Sequence, residues 1–120
     1  MGFDKETIDS IWNKGISVDG YDETRIRKDC CGAWIVKDAY GNRDDDFGWE
    51  IDHVYPKSLG GDDDHDNLRP MNCHNNKSKQ DDYPSYKSSI IADGTKNIFS
   101  EEQFTVNENL QEILKNLYKL

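Results

Sequence analysis

The chain has 120 residues, of which 34% are hydrophobic and 32% charged, and its net charge is −9. This length is typical of one domain, and three Trp, six Tyr and four Phe provide bulky core material, which argues against a disordered chain. The acidic balance excludes a uniformly basic surface for nucleic acid, since such a surface binds by releasing counterions from phosphates. Any nucleic-acid contact must be local and salt-sensitive, and a basic partner protein is the alternative use of the acidic surface.

The N-terminal region, residues 1–33, is predicted to be helical. Asp4 can cap a helix that runs to about Lys14, and Asp22 can cap a second helix that runs to about Lys28. The apolar residues of the first helix recur on one face, so this face is expected to pack against the core.

The cysteines and the N-terminus favour a cytoplasmic protein. The three cysteines are odd in number and lack a CxxC spacing, which indicates reduced thiols, not a disulfide framework. The first residues lack the apolar run of a signal peptide, and no stretch approaches the length of a membrane span. We therefore predict no membrane partner, and export by a specialised system is left open.

Residues 34–82 are predicted to form the centre of a single domain that extends over 1–120. Pro56 ends one of the strands, because proline cannot donate to a strand ladder. The predicted elements in chain order are a strand at 31–36, a strand at 49–55, a glycine-containing loop at 57–66, a return strand at 68–71 and a short polar helix at 72–80.

The C-terminal region, residues 83–120, is predicted to contain a hairpin and a helix. Asp93-Gly94-Thr95 is a turn signal between two short runs of strand formers. Thr105 and Glu108 have the spacing of a capping box, which would open the helix. The helix then carries an apolar stripe, for which core packing is the default and a dimer seam the alternative. The stripe consists of Leu110, Ile113, Leu114, Leu117 and Tyr118.

Asp52 and His53 at the end of the second strand are the first candidate site residues. A neutral imidazole takes a proton from water near neutral pH, so His53 is the candidate general base. A carboxylate suits a hard cation such as Mg²⁺ or Mn²⁺, so Asp52 is the candidate metal ligand. Successive strand residues point to opposite faces, so we expect a bend at His53 that brings both side chains to one metal.

Two asparagines complete the candidate site. Asn67 is expected to fix the loop after His53 through side-chain hydrogen bonds to the backbone. Asn76, through its amide oxygen, is the second candidate ligand. His74 competes for that role, but residues two apart on a helix point about 200° apart, and we favour Asn76. This set of groups suggests phosphodiester hydrolysis.

Basic residues near these positions are candidate phosphate contacts. A solvated helix face is the alternative interpretation of such charges. Glu50 is interpreted as a strand-edge charge, with a further ligand as the alternative. The candidate DNA-binding residues are Lys57, Arg69, Lys77 and Lys79.

The order of these motifs resembles the HNH endonuclease family, and the part from 31 to 43 is similar to small stand-alone bacterial and phage members. The segments that carry the resemblance are Gly48-Trp49-Glu50-Ile51-Asp52-His53-Val54-Tyr55-Pro56, Gly60-Gly61, Asn67-Leu68-Arg69-Pro70-Met71 and Asn75-Asn76-Lys77-Ser78-Lys79. The resemblance implies an α+β fold with a ββα-metal finger, embedded in a small domain with flanking helices and a C-terminal hairpin plus helix. It implies the same roles for Asp52, His53, Asn67 and Asn76, closer to the Asp-His-Asn variety of RNA-guided CRISPR nucleases than to the His-rich colicin type.

The resemblance also implies the cofactor and the products. Many members carry two CxxC pairs for a structural zinc, but Asn72 and Asn75 stand at the positions that flank the helix, so we expect no structural zinc. The expected activity is DNA hydrolysis with one Mg²⁺ or Mn²⁺ in a bacterial or phage-infected cell. One site cuts one strand, so a monomer should nick. Double-strand cleavage would need a homodimer or two successive binding events.

Two other functions are compatible with the same sequence. The first is a module that binds DNA or protein but cleaves nucleic acid weakly or not at all. The second is a toxin or effector nuclease that a partner protein of the immunity type controls. Target specificity, the preference for DNA or RNA and the biological setting have no signal in the sequence.

Overall fold

A computed structural model describes residues 2–120. In these residues the chain forms three α-helices and four separate antiparallel strand pairs, which confirms the predicted α+β class. The helices are α1 (Lys5–Trp12), α2 (Cys73–Lys79) and α3 (Glu108–Tyr118). The strands are β1 (Ile26–Lys28), β2 (Trp34–Val36), β3 (Trp49–His53), β4 (Leu68–Asn72), β5 (Ser85–Lys87), β6 (Ile90–Asp93), β7 (Lys96–Phe99) and β8 (Gln103–Thr105).

The first helix forms as predicted, but the second does not. The Asp4 side chain accepts a hydrogen bond from the Thr7 amide and caps α1. The prediction of a helix after Asp22 is wrong, because the Asp22 carboxylate bonds the amide and hydroxyl of Thr24 and closes a short turn instead. The chain then enters β1, which pairs with β2. Pairing with an apolar strand therefore outweighs the local preference for a short helix.

The centre of the fold is the strand pair β3–β4 followed directly by α2. In the antiparallel register Asp52 is opposite Arg69 and His53 is opposite Leu68. Pro70 fits within β4 because this sheet has only two strands, so the outer edge of β4 needs no donor. Asn72 ends β4 and caps α2 by accepting from the His74 amide. This ββα unit has the order predicted from the sequence.

Two apolar clusters enclose the β3–β4 pair. Strand β3 contributes only to the first cluster, whereas β4 contributes Leu68 to the first and Met71 to the second. The first cluster lies beneath α1, and the second lies beneath the C-terminal region. The first contains Ile11, Trp12, Ile35, Trp49, Ile51 and Leu68, and the second contains Cys31, Val54, Met71, Tyr86, Val106 and Leu114. The end of β3 is thus held from both sides.

The C-terminal region contains the predicted hairpin, β6–β7, in which Asp93 pairs with Lys96 across the turn. The strand pair β5–β8 was not predicted, because its two short segments are distant in sequence. The capping box is also wrong: Thr105 lies in β8, and Asn107 caps α3 by accepting from the Leu110 amide. Within the described residues 2–120, no helix has the length and apolar character needed to cross a membrane.

The apolar stripe of α3 is divided between core and surface. Leu114 is fully buried in the second cluster, and Leu110 and Tyr118 pack at its edge. Ile113 and Leu117 are 45% and 38% exposed. Core packing, the default expectation, therefore accounts for only part of the stripe.

Candidate active site

The end of β3, the loop after it and α2 surround a small open cleft. Asp52, His53 and Asn76 all line this cleft, whose volume is about 180 Å³. The remaining lining comes from the loop after β3 and from the end of α2, with Ile51, Pro56, Lys57, Ser58, Gln80 and Asp81. The structure therefore brings three of the candidate site residues to one place.

The predicted bend lies beyond His53, not at it. Strand β3 continues through His53, and the chain bends at the next two residues, 54–55. Accordingly, Asp52 and His53 have different surroundings, as the alternation of a regular strand requires. The Asp52 carboxylate contacts Arg69 and Lys79, whereas the His53 ring contacts the ring of Phe3 at 5.9 Å between centroids.

Asn67 is fully buried and ties the loop to the end of β3. Its Oδ1 accepts from the Tyr55 amide at 2.7 Å, and its Nδ2 donates to the carbonyls of Tyr55 at 3.0 Å and Asp62 at 3.1 Å. The loop also depends on Gly61, since a Cβ there would come within 1.8 Å of the Tyr55 carbonyl oxygen. These contacts are those expected of a residue that fixes the segment after His53, and its role in activity stays a prediction.

Replacing Asn67 with alanine is expected to lower the free energy of unfolding by about 2 kcal/mol, because it leaves buried backbone groups of the loop without partners. Amide hydrogen exchange at Tyr55 should become faster, since the Tyr55 amide donates to the Asn67 side chain. Urea unfolding and exchange measured by NMR test this. Asn109→Ala, at an exposed position of α3, is the matched control. Equal stability of the two variants would contradict the tethering role.

The His53 ring is held through one of its two nitrogens. Its Nε2 lies 2.7 Å from Oδ1 of Asp63, and this hydrogen bond, with Lys57 nearby, lowers the pKa of Asp63. Within residues 2–120, no protein group hydrogen-bonds Nδ1 of His53. A carboxylate that accepts from Nε2 favours the tautomer in which Nδ1 carries the lone pair. Asp63 was given no role from the sequence, so this contact was not predicted.

Asp52 is 3% exposed and lies between two cationic side chains. Its Oδ2 accepts from Nε of Arg69 at 3.0 Å, and its Oδ1 lies 3.3 Å from Nζ of Lys79. The Arg69 guanidinium also lies over the ring of Tyr86, 5.0 Å from its centroid. An ionised carboxylate has about four lone-pair sites, so these contacts orient Asp52 and leave acceptor capacity.

Asn76 is oriented by its amide nitrogen. Nδ2 donates to Oε1 of Glu50 at 3.0 Å, and Oε2 of Glu50 accepts from Nε of Arg43 at 2.8 Å. This leaves the amide oxygen of Asn76 as the free acceptor beside the cleft. His74 does not line this cleft, but it lines a neighbouring groove to which Asn76 also contributes. The preference for Asn76 over His74 as a ligand therefore stays a prediction.

The residues of the cleft fit a hard divalent cation. Asp52 and Asn76 provide carboxylate and amide oxygens, which are the donors that Mg²⁺ and Mn²⁺ prefer. Across the described part of the chain, no cluster of three or more His, Cys, Asp or Glu side chains has the geometry to hold a metal. Two protein oxygens with water in the other positions match the usual habit of Mg²⁺, which keeps several waters.

The four candidate phosphate contacts fall into two groups. Lys57 is exposed and lines the cleft, and Lys77 is exposed and lines the neighbouring groove. Arg69 and Lys79 are not on the surface: their side chains are 12% and 0% exposed, and both pair with Asp52. A solvated helix face is therefore excluded for Lys79. Because a phosphate outside the protein cannot reach a buried ammonium, only Lys57 and Lys77 are retained as phosphate contacts.

A buried polar network holds the ββα unit, and the sequence analysis missed it. Asp29 is fully buried and accepts from the amides of Cys31, Ala33 and Asn72 and from Nδ2 of Asn75. Burial raises the pKa of Asp29, and the four N–H donors act in the opposite direction. No signal of spacing or periodicity distinguishes Asp29 from the exposed acids near it in sequence.

Asn72 and Asn75 extend this network at both ends. Nδ2 of Asn72 donates to the carbonyls of Trp34 and Asp46, and Oδ1 of Asn75 accepts from the amides of Ser89 and Ile90. These are the two positions for which the resemblance led us to expect no structural zinc. In this chain, hydrogen bonds connect α2 to the strands before and after it.

A comparison with known families identifies the ββα unit. Residues 44–85 match the family model described as HNH endonuclease. This segment includes β3, the loop after it, β4 and α2. The chain therefore carries an HNH endonuclease segment, and the resemblance recognised from the motifs is confirmed. The family is one of nucleases. Searches among curated proteins and among solved structures gave no match to this chain.

Proposed function

We propose that the chain is a metal-dependent endonuclease that hydrolyses DNA phosphodiester bonds and nicks one strand at a time. The observation that carries the proposal is the shared cleft of Asp52, His53 and Asn76, at the end of a loop that Asn67 fixes. The match of the segment to HNH endonucleases supports the reaction class. A cytoplasmic setting in a bacterial or phage-infected cell belongs to the same proposal.

The proposed chemistry assigns one task to each side chain. Asp52 and Asn76 would hold Mg²⁺ or Mn²⁺ through their oxygens. The bound cation supplies Lewis-acid stabilisation of the negative charge that develops on the phosphate and on the leaving oxygen. His53 takes a proton from the attacking water through Nδ1. Asp63 accepts from Nε2 and keeps the imidazole in the required tautomer.

Substrate binding relies on local charge. Lys57 lines the cleft and Lys77 lines the neighbouring groove, and both would contact phosphates of the bound strand. Much of the surrounding surface is acidic, and the net charge of the chain is −9. Because few phosphates are neutralised, binding should be weak, and it should weaken further with added salt. The products would carry 5′-phosphate and 3′-hydroxyl ends, as the family resemblance implies.

Conversion of supercoiled plasmid to the nicked form at low salt tests the proposal. We expect nicking in Mg²⁺ or Mn²⁺, complete loss in EDTA and recovery when the metal is returned. Asn76→Ala should lower the rate about 10²-fold or more, because a ligand is lost. It is a cleaner test than a change at Asp52, whose removal would leave two buried cations unpaired.

The matched control is Asn109→Ala, which removes an exposed amide on α3 and should leave nicking unchanged. The proposal would be contradicted if the wild type did not nick plasmid in either metal across a range of low salt concentrations. That result would favour the alternative of a binding module that does not cut.

A further inference from the structure

Lys79, the last residue of α2, is a lysine whose side chain is completely buried. Its ammonium has two contacts at the cleft: Oδ1 of Asp52 at 3.3 Å and the backbone carbonyl of His53, to which it donates at 3.2 Å. A buried ammonium persists only where charged or polar groups compensate for lost hydration. Lys79 is therefore fixed to both the proposed ligand and the proposed base, and the proposed chemistry gives it no task.

The charges around Asp52 are not balanced. One carboxylate faces two cations, because Arg69 contacts its other oxygen at 3.0 Å. The Arg69 guanidinium is additionally held over the ring of Tyr86. Lys79 has the longer contact with Asp52 and a flexible four-carbon stem. Of the two cations, Lys79 is the one that the carboxylate holds less closely.

We infer that Lys79 is an internal counter-ion of the proposed metal site, which pairs with Asp52 and opposes a divalent cation there. The inference rests on the proposed function, since it takes Asp52 as the ligand. Two positive centres that share one carboxylate repel each other, and the repulsion is strong where water is excluded. Lys79 therefore sets the metal concentration at which the site fills.

The test is Mn²⁺ binding without substrate, followed by the electron paramagnetic resonance signal of free Mn²⁺. Lys79→Met keeps the buried apolar stem, removes the charge and leaves Asp52 balanced by Arg69. It is expected to bind Mn²⁺ at least about tenfold more tightly than the wild type. The increase in melting temperature at a fixed Mn²⁺ concentration should also be larger, because a tighter ligand stabilises the folded state more.

Three further variants make the result specific. Lys79→Gln keeps a donor for the Asp52 and His53 oxygens without the charge, and should also bind Mn²⁺ more tightly. Lys79→Arg keeps the charge and should remain close to the wild type. Lys115→Met removes a charge from an exposed position of α3, where solvent screens it, and should change affinity less than twofold. If Lys79→Met does not fold, the Mn²⁺ affinities of Lys79→Gln and Lys79→Arg are compared instead.

The failure of this inference differs from the failure of the proposed function. If Asn76→Ala binds Mn²⁺ as tightly as the wild type, or if neither binds, the ligand assignment and with it the proposed function fail. If Asn76→Ala loses affinity but both neutral variants at position 79 bind no more tightly than the wild type, only the role of Lys79 is overturned. Tighter binding by both neutral variants, with Lys79→Arg unchanged, establishes it.

Discussion

Replacing His53 with alanine is expected to lower the rate of plasmid nicking about 10²- to 10⁴-fold, the usual contribution of a positioned general base. The reason is geometric: Nε2 is held by Asp63 at 2.7 Å, while Nδ1 is left for the attacking water. Stability should change little, because the Asp63 side chain is more than half exposed and a hydrogen bond to such a group contributes little to folding. Nicking at saturating Mg²⁺ and a thermal melt by circular dichroism measure both effects.

The matched control for this change is His74→Ala. His74 lies on α2 close to the same region but lines the neighbouring groove, so its loss should leave the nicking rate within a few-fold of the wild type. If His74→Ala and His53→Ala lost activity to the same extent, His74 would have to be included in the site. If His53→Ala nicked as fast as the wild type, the assignment of the base would be wrong.

The second large effect is expected at Asp29, far in sequence from the cleft. Asp29→Ala should lower the free energy of unfolding by about 4 kcal/mol or more, because it leaves four buried N–H groups without an acceptor. Each unsatisfied buried donor costs about 1–3 kcal/mol. For a small domain this is a large share of the total stability. Urea unfolding followed by tryptophan fluorescence gives the value.

The control for Asp29→Ala is Asp38→Ala. Asp38 is an exposed acid that, like Asp29, precedes the ββα unit in the sequence. The control substitution should change the free energy of unfolding by less than about 0.5 kcal/mol. Asp29→Asn keeps the shape of the side chain but directs its NH₂ group at other donors. Its free energy of unfolding should therefore lie between those of Asp29→Ala and the wild type. A loss below 1 kcal/mol for Asp29→Ala would show that water replaces the carboxylate and that the network is dispensable.

The order of β3, the loop, β4 and α2 was predictable from the sequence because its signals are local. Strand β3 ends at His53, three residues before the Pro56 that was expected to end it, and the polar run after Asn72 forms a helix. The hairpin β6–β7 follows from its turn residues for the same reason. These elements confirm the predicted α+β class, and the family match over 44–85 confirms the recognition made from the motifs.

Other elements depend on contacts that are distant in the sequence, and their prediction was wrong or missing. The helix expected after Asp22 is replaced by β1, whose partner β2 lies several residues further on. Strands β5 and β8 are separated by a complete hairpin, so neither has a local signal. The cap of α3 is Asn107, because Thr105 is already engaged in β8. In each case pairing partners outweighed local preference.

The sequence by itself determined the central unit and the residue types that a hydrolytic site of this family needs: a carboxylate beside an imidazole, and two asparagines at set distances beyond them. Only the tertiary structure decided what surrounds them. It buried Lys79 and Arg69 against Asp52, placed Asp63 on His53, and gathered Asp29, Asn72 and Asn75 into one network. The physical reason is that residue spacing fixes neighbours along a strand or helix, whereas burial and charge pairing arise from segments that meet only when the chain is folded.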